Sequence, residues 1–401
     1  MRFFTCTPVA FGGGADFFAR DSGLLCRGFQ SLGVESRAVM PGERKPEDDA
    51  DLIRTEYGNL ESADWWCSHN LDGVVLYAWG RPKFRKVAAA IHNAGIFLVL
   101  NQDSGGLASP LAGLREWLTE QWTLGGQGRG FSAWMRFLRL ASRGMTVGLV
   151  VTDPLRATHL GVGDIIACVS PKAAGHYRRL CRIYGGHDLA ERVKVIPHAV
   201  ESGFHFAGTS KLRQIACIGR WEDHIQKRTW LMMEVIRCLV AKDESLSVMI
   251  VGNVTPEMDS WHRSLGESRT NRIHLCGHLD RSALVEVLRS SRVFYSPSAF
   301  ESFGIAAAEA LCCGCSVVAG RSVSMASFEW FVSENSGALA VPDDAAGHIR
   351  SLEQELGAWD QNLREPENIA QIWGERLHAG SVAELVLQYH RLSKKTEPIV
   401  G

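Results

Sequence analysis

Short apolar runs recur along this chain, each closed by a glycine-rich or polar turn and followed by a stretch with helical spacing of its apolar residues. In the first half, residues 1–10, 74–77, 96–100, 163–169 and 193–196 predict buried strands, and Leu32-Gly33-Val34 reads as one more. In the second half, residues 213–219, 248–251, 273–276, 292–295, 316–319 and 337–341 do the same. Helices are expected over 15–30, 83–93, 170–182, 229–241, 283–290, 305–313 and 383–392. Strands that alternate with helices predict an α/β chain on parallel sheets, since parallel neighbours need a crossover and a helix is the usual one.

Residues 296–320 concentrate the candidate chemistry. Pro297 ends a strand, the Ala-rich run from Ile305 is a strong helix former, and Gly314 stops it. Glu301 falls in the loop before the helix and Glu309 about two turns along it, so one rigid element holds both carboxylates. The amides of Phe303, Gly304 and Ile305 are expected to point unpaired into that loop, at the positive end of the helix dipole, where an anion is favoured. The plainer reading makes both glutamates solvated charges beside a core helix.

Length sharpens the picture: 401 residues exceed one ordinary core and suit two domains. A net charge of −1 argues against nucleic acid as the main partner. Eleven cysteines, an odd number without paired spacings, point to a reducing compartment. Cys312-Cys313-Gly314-Cys315 contains a Cys-x-x-Cys, but no second pair lies at zinc-binding spacing, and small apolar packing is the simpler role. No apolar run is long enough to span a bilayer, and the N-terminus reads as a strand, not a signal peptide. Gly12-Gly13-Gly14 opens a helix as a dinucleotide-binding turn would, yet the third glycine of that fingerprint and the acidic ribose ligand after the next strand are missing.

The segment Pro297-Ser298-Ala299-Phe300-Glu301-Ser302-Phe303-Gly304, with Glu309 eight residues after Glu301 and Gly314 before Val317-Val318, resembles the Glu-x7-Glu signature of retaining glycosyltransferases of the GT-B fold, family 4. The resemblance extends to Gly219-Arg220 followed by Lys227, and more weakly to Ile196-Pro197-His198-Ala199-Val200, where relatives carry Asn in place of His198. It implies two facing Rossmann-like domains, 1–205 on the acceptor side and 206–380 binding the nucleotide sugar. A C-terminal helix and tail over 381–401 would cross back to the first domain. Arg220 and Lys227 would then clamp the donor diphosphate, although the loop is two residues longer than usual and Arg228 competes with Lys227. Glu301 would hold the donor sugar, with Arg220, Lys227 and Glu301 forming the catalytic set. Glu309 would hold the ribose, while Gly277, His278 and Leu279 would line the base. Ser302, Phe303, Gly304 and Ile305, with Gly13 and Gly14, would complete the donor site. Asp103 stands where relatives place a His-Asp or His-Glu and is carried as an acceptor-side contact; His198 is read as structural.

The resulting expectation is a retaining transferase that moves a sugar from a nucleotide diphosphate sugar to a glycan, a lipid-linked glycan or a protein, without a metal or other cofactor. A GT-B nucleotide-sugar epimerase and a non-catalytic subunit that keeps the fold are the alternatives. Residues 117–145 interleave Trp117, Trp122, Phe131, Trp134, Met135 and Phe137 with Arg129, Arg136, Arg139 and Arg143, with no acidic residue after Glu120. Such a stretch can lie on an anionic membrane through 129–143 or cover a core with its arginines solvated. A cytoplasmic location is expected, and with the first alternative the inner face of the membrane.

Overall fold

The computed structural model describes residues 1–125 and 130–396. The chain forms two compact units, Met1–Glu201 with Arg376–Gly401, and Ser202–Glu375. Among the described residues, the first unit carries strands β1 (Phe3–Cys6), β2 (Ala38–Pro41), β3 (Leu52–Thr55), β4 (Gly73–Tyr77), β5 (Phe97–Gln102), β6 (Ile165–Cys168) and β7 (Val193–Val195). They pair in parallel in the order β3-β2-β1-β4-β5-β6-β7. The second unit carries β8 (Leu212–Ile218), β9 (Ser247–Val251), β10 (Ile273–Gly277), β11 (Ser291–Ser296), β12 (Ser316–Gly320) and β13 (Gly337–Ala340), parallel in the order β10-β9-β8-β11-β12-β13. Each sheet is a Rossmann-like α/β half, and in each the strand order reverses once, between β1 and β4 and between β8 and β11. Ligands of open parallel sheets gather outside the carboxyl ends of the strands at such a reversal.

The C-terminal helix Ala379–Thr396 belongs to the first unit. Its Val382, Ala383, Val386 and Leu387 are buried in one cluster with Phe3, Phe29 and Phe97.

Two local expectations change. The helix expected over 15–30 is two helices, Ala15–Phe18 and Asp21–Ser31. Arg20 is extended and Asp21 is left-handed at φ 50°, while a hydroxyl bond of 2.6 Å between Thr7 and Ser22 anchors the second helix to the end of β1. Leu32-Gly33 is the turn that closes this helix, with Leu32 N–H donating to the Phe29 carbonyl, so the next strand starts only at Ala38. Within the charged run 44–51, Asp48 is buried and paired with Arg54 at 2.8 Å. The hydrogen bonds from Arg54 hold its carboxyl at about 2, below the ordinary carboxylate value.

Candidate functional site

Two loops leave the sheet reversal in the second unit, one after β8 and one after β11. The first passes through Gly219 and Arg220 into the single turn His224–Lys227, capped by Asp223, whose side chain accepts from Gln226 N–H at 3.0 Å. The turn aims Lys227 at the second loop, where its ammonium pairs with the Glu301 carboxylate; Ser298 Oγ donates to the same carboxylate at 3.0 Å. Both charged side chains keep a little solvent, 16% for Lys227 and 14% for Glu301. Arg220 is 69% exposed, and its guanidinium donates to Gln226 Oε1 at 3.1 Å while Gln226 Nε2 donates to the Phe300 carbonyl at 3.0 Å. Arg220, Lys227 and Glu301 are thereby brought to one rim.

Arg228 points elsewhere. Its backbone is left-handed at φ 44°, and its guanidinium donates to the carbonyls of Pro297 and Ser298 and to Asp343 Oδ1 at 2.7 Å. Burial alone would push the Asp343 carboxyl up, but hydrogen bonds from His348 and Arg228 outweigh it and hold the group below its ordinary value. The geometry thus separates the two candidates for the clamp: Lys227 faces Glu301, and Arg228 ties the 297–298 backbone to Asp343.

The Glu301 loop is held from its far side. Glu301 N–H donates to the Ser324 carbonyl at 2.9 Å, Ser327 Oγ donates to the Ser302 carbonyl at 3.1 Å, and the buried Phe303 ring packs on Phe331 at 5.2 Å. Gly304 caps the helix Ile305–Cys312 at φ 88°, and a β-carbon there would stand 2.7 Å from the Phe328 ring, so only glycine fits. Glu309 is buried on this helix and its Oε1 accepts from Arg281 Nη2 at 3.3 Å. Arg281 opens the helix Arg281–Ser290, capped by Asp280, directly after Gly277, His278 and Leu279. The residues expected at the base are therefore next to the partner of the expected ribose ligand. Cys312, Cys313 and Cys315 are all buried, burial pushes their thiols up, and the Cys315 thiol donates to the Leu288 and Ser291 carbonyls. They are packing residues. Among the described residues no three His, Cys, Asp or Glu side chains converge as a metal-binding group.

Gly13, Gly14 and Asp103 lie in the first unit. Gly13 is pressed onto the buried ion pair: a β-carbon there would stand 2.3 Å from Asp48 Oδ1 and 2.2 Å from Leu52 Cδ2. Gly14 caps the helix Ala15–Phe18. Asp103 follows β5 and meets His198, whose Nε2 is 3.1 Å from Asp103 Oδ1 and whose Nδ1 is 3.8 Å from Asp21 Oδ1. Burial disfavours the imidazolium, but the two carboxylates prevail and raise its pKa to about 9. Gln226, Arg281 and the charge on His198 were not legible as site features; each depends on a partner far away in sequence.

The architecture defines a GT-B protein, two parallel Rossmann-like halves. Residues 212–356, from β8 into the helix Ala345–Asp360, match the family model described as glycosyl transferases group 1. No curated protein matches the sequence. The chain is similar in fold to Anabaena HepE in complex with UDP and glucose, at 14% identity and TM-score 0.57, covering 98% of this chain and 100% of that one. It is similar also to the lipopolysaccharide outer core galactosyltransferase WaaB in its apo form, at 12% identity and TM-score 0.63, with 98% and 100% covered. A putative UDP-N-acetylglucosamine 2-epimerase from Listeria monocytogenes shares the fold too, at 14% identity and TM-score 0.58, with 98% and 96% covered.

Proposed function

We propose that this chain is a retaining, metal-independent glycosyltransferase of family 4 that uses a nucleotide diphosphate sugar. The observation that carries the reading is the Lys227–Glu301 pair at the β8/β11 reversal, inside the segment that matches the group 1 family. A cation and a carboxylate side by side at a helix N-terminus suit a ligand with an anionic and a hydroxylated part: a diphosphate drawn to Lys227, Arg220 and the amides before Ile305, and a sugar whose hydroxyls donate to Glu301. As the sugar–phosphate bond breaks, negative charge grows on the leaving diphosphate, and these fixed donors stabilise it. Glu309, beside Arg281, would accept from the ribose hydroxyls. The diphosphate would take the acceptor's proton, and attack from the same face would retain the anomeric configuration. HepE crystallised with UDP and glucose supports a UDP-sugar as the first donor to try.

A thermal-shift panel of UDP-, GDP- and ADP-sugars finds the donor, because a ligand that binds the folded state raises the unfolding temperature. Incubation with that donor should release nucleoside diphosphate and a sugar or glycoside of retained configuration. The Listeria neighbour keeps an epimerase reading in view. Recovery of an epimerised sugar nucleotide, with no transfer, would replace the transferase reading; tight binding without any turnover would favour a non-catalytic subunit.

A further inference from the structure

The crossover that carries the first unit from β5 to β6 contains an apolar face that none of the unit's described residues covers. It includes the helices Leu114–Gly125 and Phe131–Arg143 and the wide-wound helical stretch Gly144–Thr152. In the helix Phe131–Arg143 the stripe turned inward is narrow: Ala133 and Ala141 are buried, with Phe137 against Trp122 at 5.4 Å. Phe131, Trp134, Met135 and Leu138, spaced i, i+3, i+4 and i+7 on one face, are exposed, Phe131 at 78%. The next stretch has no buried residue at all, and Val150 is 76% exposed. Single exposed apolar residues are ordinary, but a contiguous set of large ones marks a contact surface.

Charge selects the partner. From residue 121 to residue 152 the chain has four arginines and no acidic side chain. Arg129 lies outside the described residues; Arg136, Arg139 and Arg143 follow one another along the helix flank beside the apolar face. Large apolar side chains next to a basic stripe fit the interface of an anionic bilayer, with the apolar face in the acyl boundary and the guanidinium groups at the phosphates. Among the described residues no helix is long and apolar enough to cross a membrane, so the segment would lie on the surface. We infer that residues 131–151 dock the protein on an anionic lipid surface. The surface lies in the crossover between β5 and β6, so a docked chain presents its first unit to the lipid. The inference does not rest on the transferase reading, and its test needs no turnover.

The test is co-sedimentation of the full chain with vesicles of phosphatidylglycerol mixed equally with phosphatidylcholine, against phosphatidylcholine alone. Binding is expected to the anionic vesicles and to fall with added salt. Phe131→Ser and Trp134→Ser should each lower partitioning about tenfold by removing an inserted ring. Arg139→Gln should lower it about fivefold on anionic vesicles only. These side chains are exposed, so unchanged unfolding temperatures are expected and separate loss of docking from loss of folding. Equal binding by wild type and Phe131→Ser, or no binding to either vesicle, overturns the inference. So does a lipid-free dimer that Phe131→Ser and Trp134→Ser convert to monomer, since a second copy would then cover the face.

Discussion

Glu301→Gln should make the protein bind nucleoside diphosphate more tightly while it transfers sugar more slowly. The Glu301 carboxylate already satisfies Lys227, and an arriving diphosphate must share that ammonium with a neighbouring like charge. At an effective dielectric constant of about 20, two unit charges about 5 Å apart interact by about 3 kcal/mol. The pair keeps some exposure, 16% and 14%, so solvent screening reduces this to about 1–2 kcal/mol. Neutralising Glu301 with the shape kept removes that repulsion and frees Lys227, which corresponds to about a 5- to 30-fold gain in diphosphate affinity. Transfer should fall, because a neutral amide is a poorer acceptor for sugar hydroxyls than a carboxylate, by about 1–2 kcal/mol or roughly tenfold in turnover. Calorimetry with the nucleoside diphosphate and steady-state assays with the matching donor read the two effects separately. A variant that loses diphosphate affinity would refute the placement of the diphosphate at Lys227. Unchanged turnover would refute the sugar contact.

Arg220→Ala and Lys227→Ala should each reduce turnover more than nucleoside affinity, since the charge they face grows in the transition state; unchanged turnover in both removes the clamp. Glu309→Ala should weaken binding of the donor and of the nucleoside diphosphate alike, by about 1–3 kcal/mol in calorimetry, whereas a loss confined to the intact donor would move its contact from the ribose to the sugar. His198→Gln should cost stability in a pH-dependent way. The pKa of His198 is raised in the folded chain, so its contribution is complete below the unfolded value of about 6.5 and fades as the pH rises through about 9. Denaturant titrations should find a gap on the order of 2–3 kcal/mol at pH 6 that shrinks by pH 10, and a gap independent of pH would deny the charged imidazole.

Strand positions other than β2 and β3 were legible because a buried parallel strand is apolar on both faces and leaves a continuous run, as in Val74–Val75–Leu76 or Val317–Val318. The Glu301 loop and its helix were legible because their residues are contiguous. Spacing alone could not decide between Lys227 and Arg228. The extra loop residues are absorbed by the turn His224–Lys227 and the left-handed Arg228, which send the two side chains apart. His198 was read as structural because it replaces a familiar residue. Its charge comes from Asp103 and Asp21, residues 95 and 177 positions upstream, and no local pattern signals such a meeting. The split at Arg20 was hidden for a similar reason, since the tether between Thr7 and Ser22 overrides a helical pattern.

The chain leaves the first unit after Glu201 and rejoins it at Arg376, and these two passages are knotted together by backbone hydrogen bonds within that unit. Val200 N–H donates to the Leu377 carbonyl at 2.7 Å, and Ala379 N–H donates to the Val200 carbonyl at 3.0 Å. In topological terms the whole of 202–375 is an insert whose two ends start from neighbouring points. A few flexible residues could bridge that gap, and the loop-closure cost of so short a bridge is small. The first unit, with its C-terminal helix already seated in its core, is therefore a candidate for expression as a free-standing minidomain, and its partner for transplantation as a cassette between close ends.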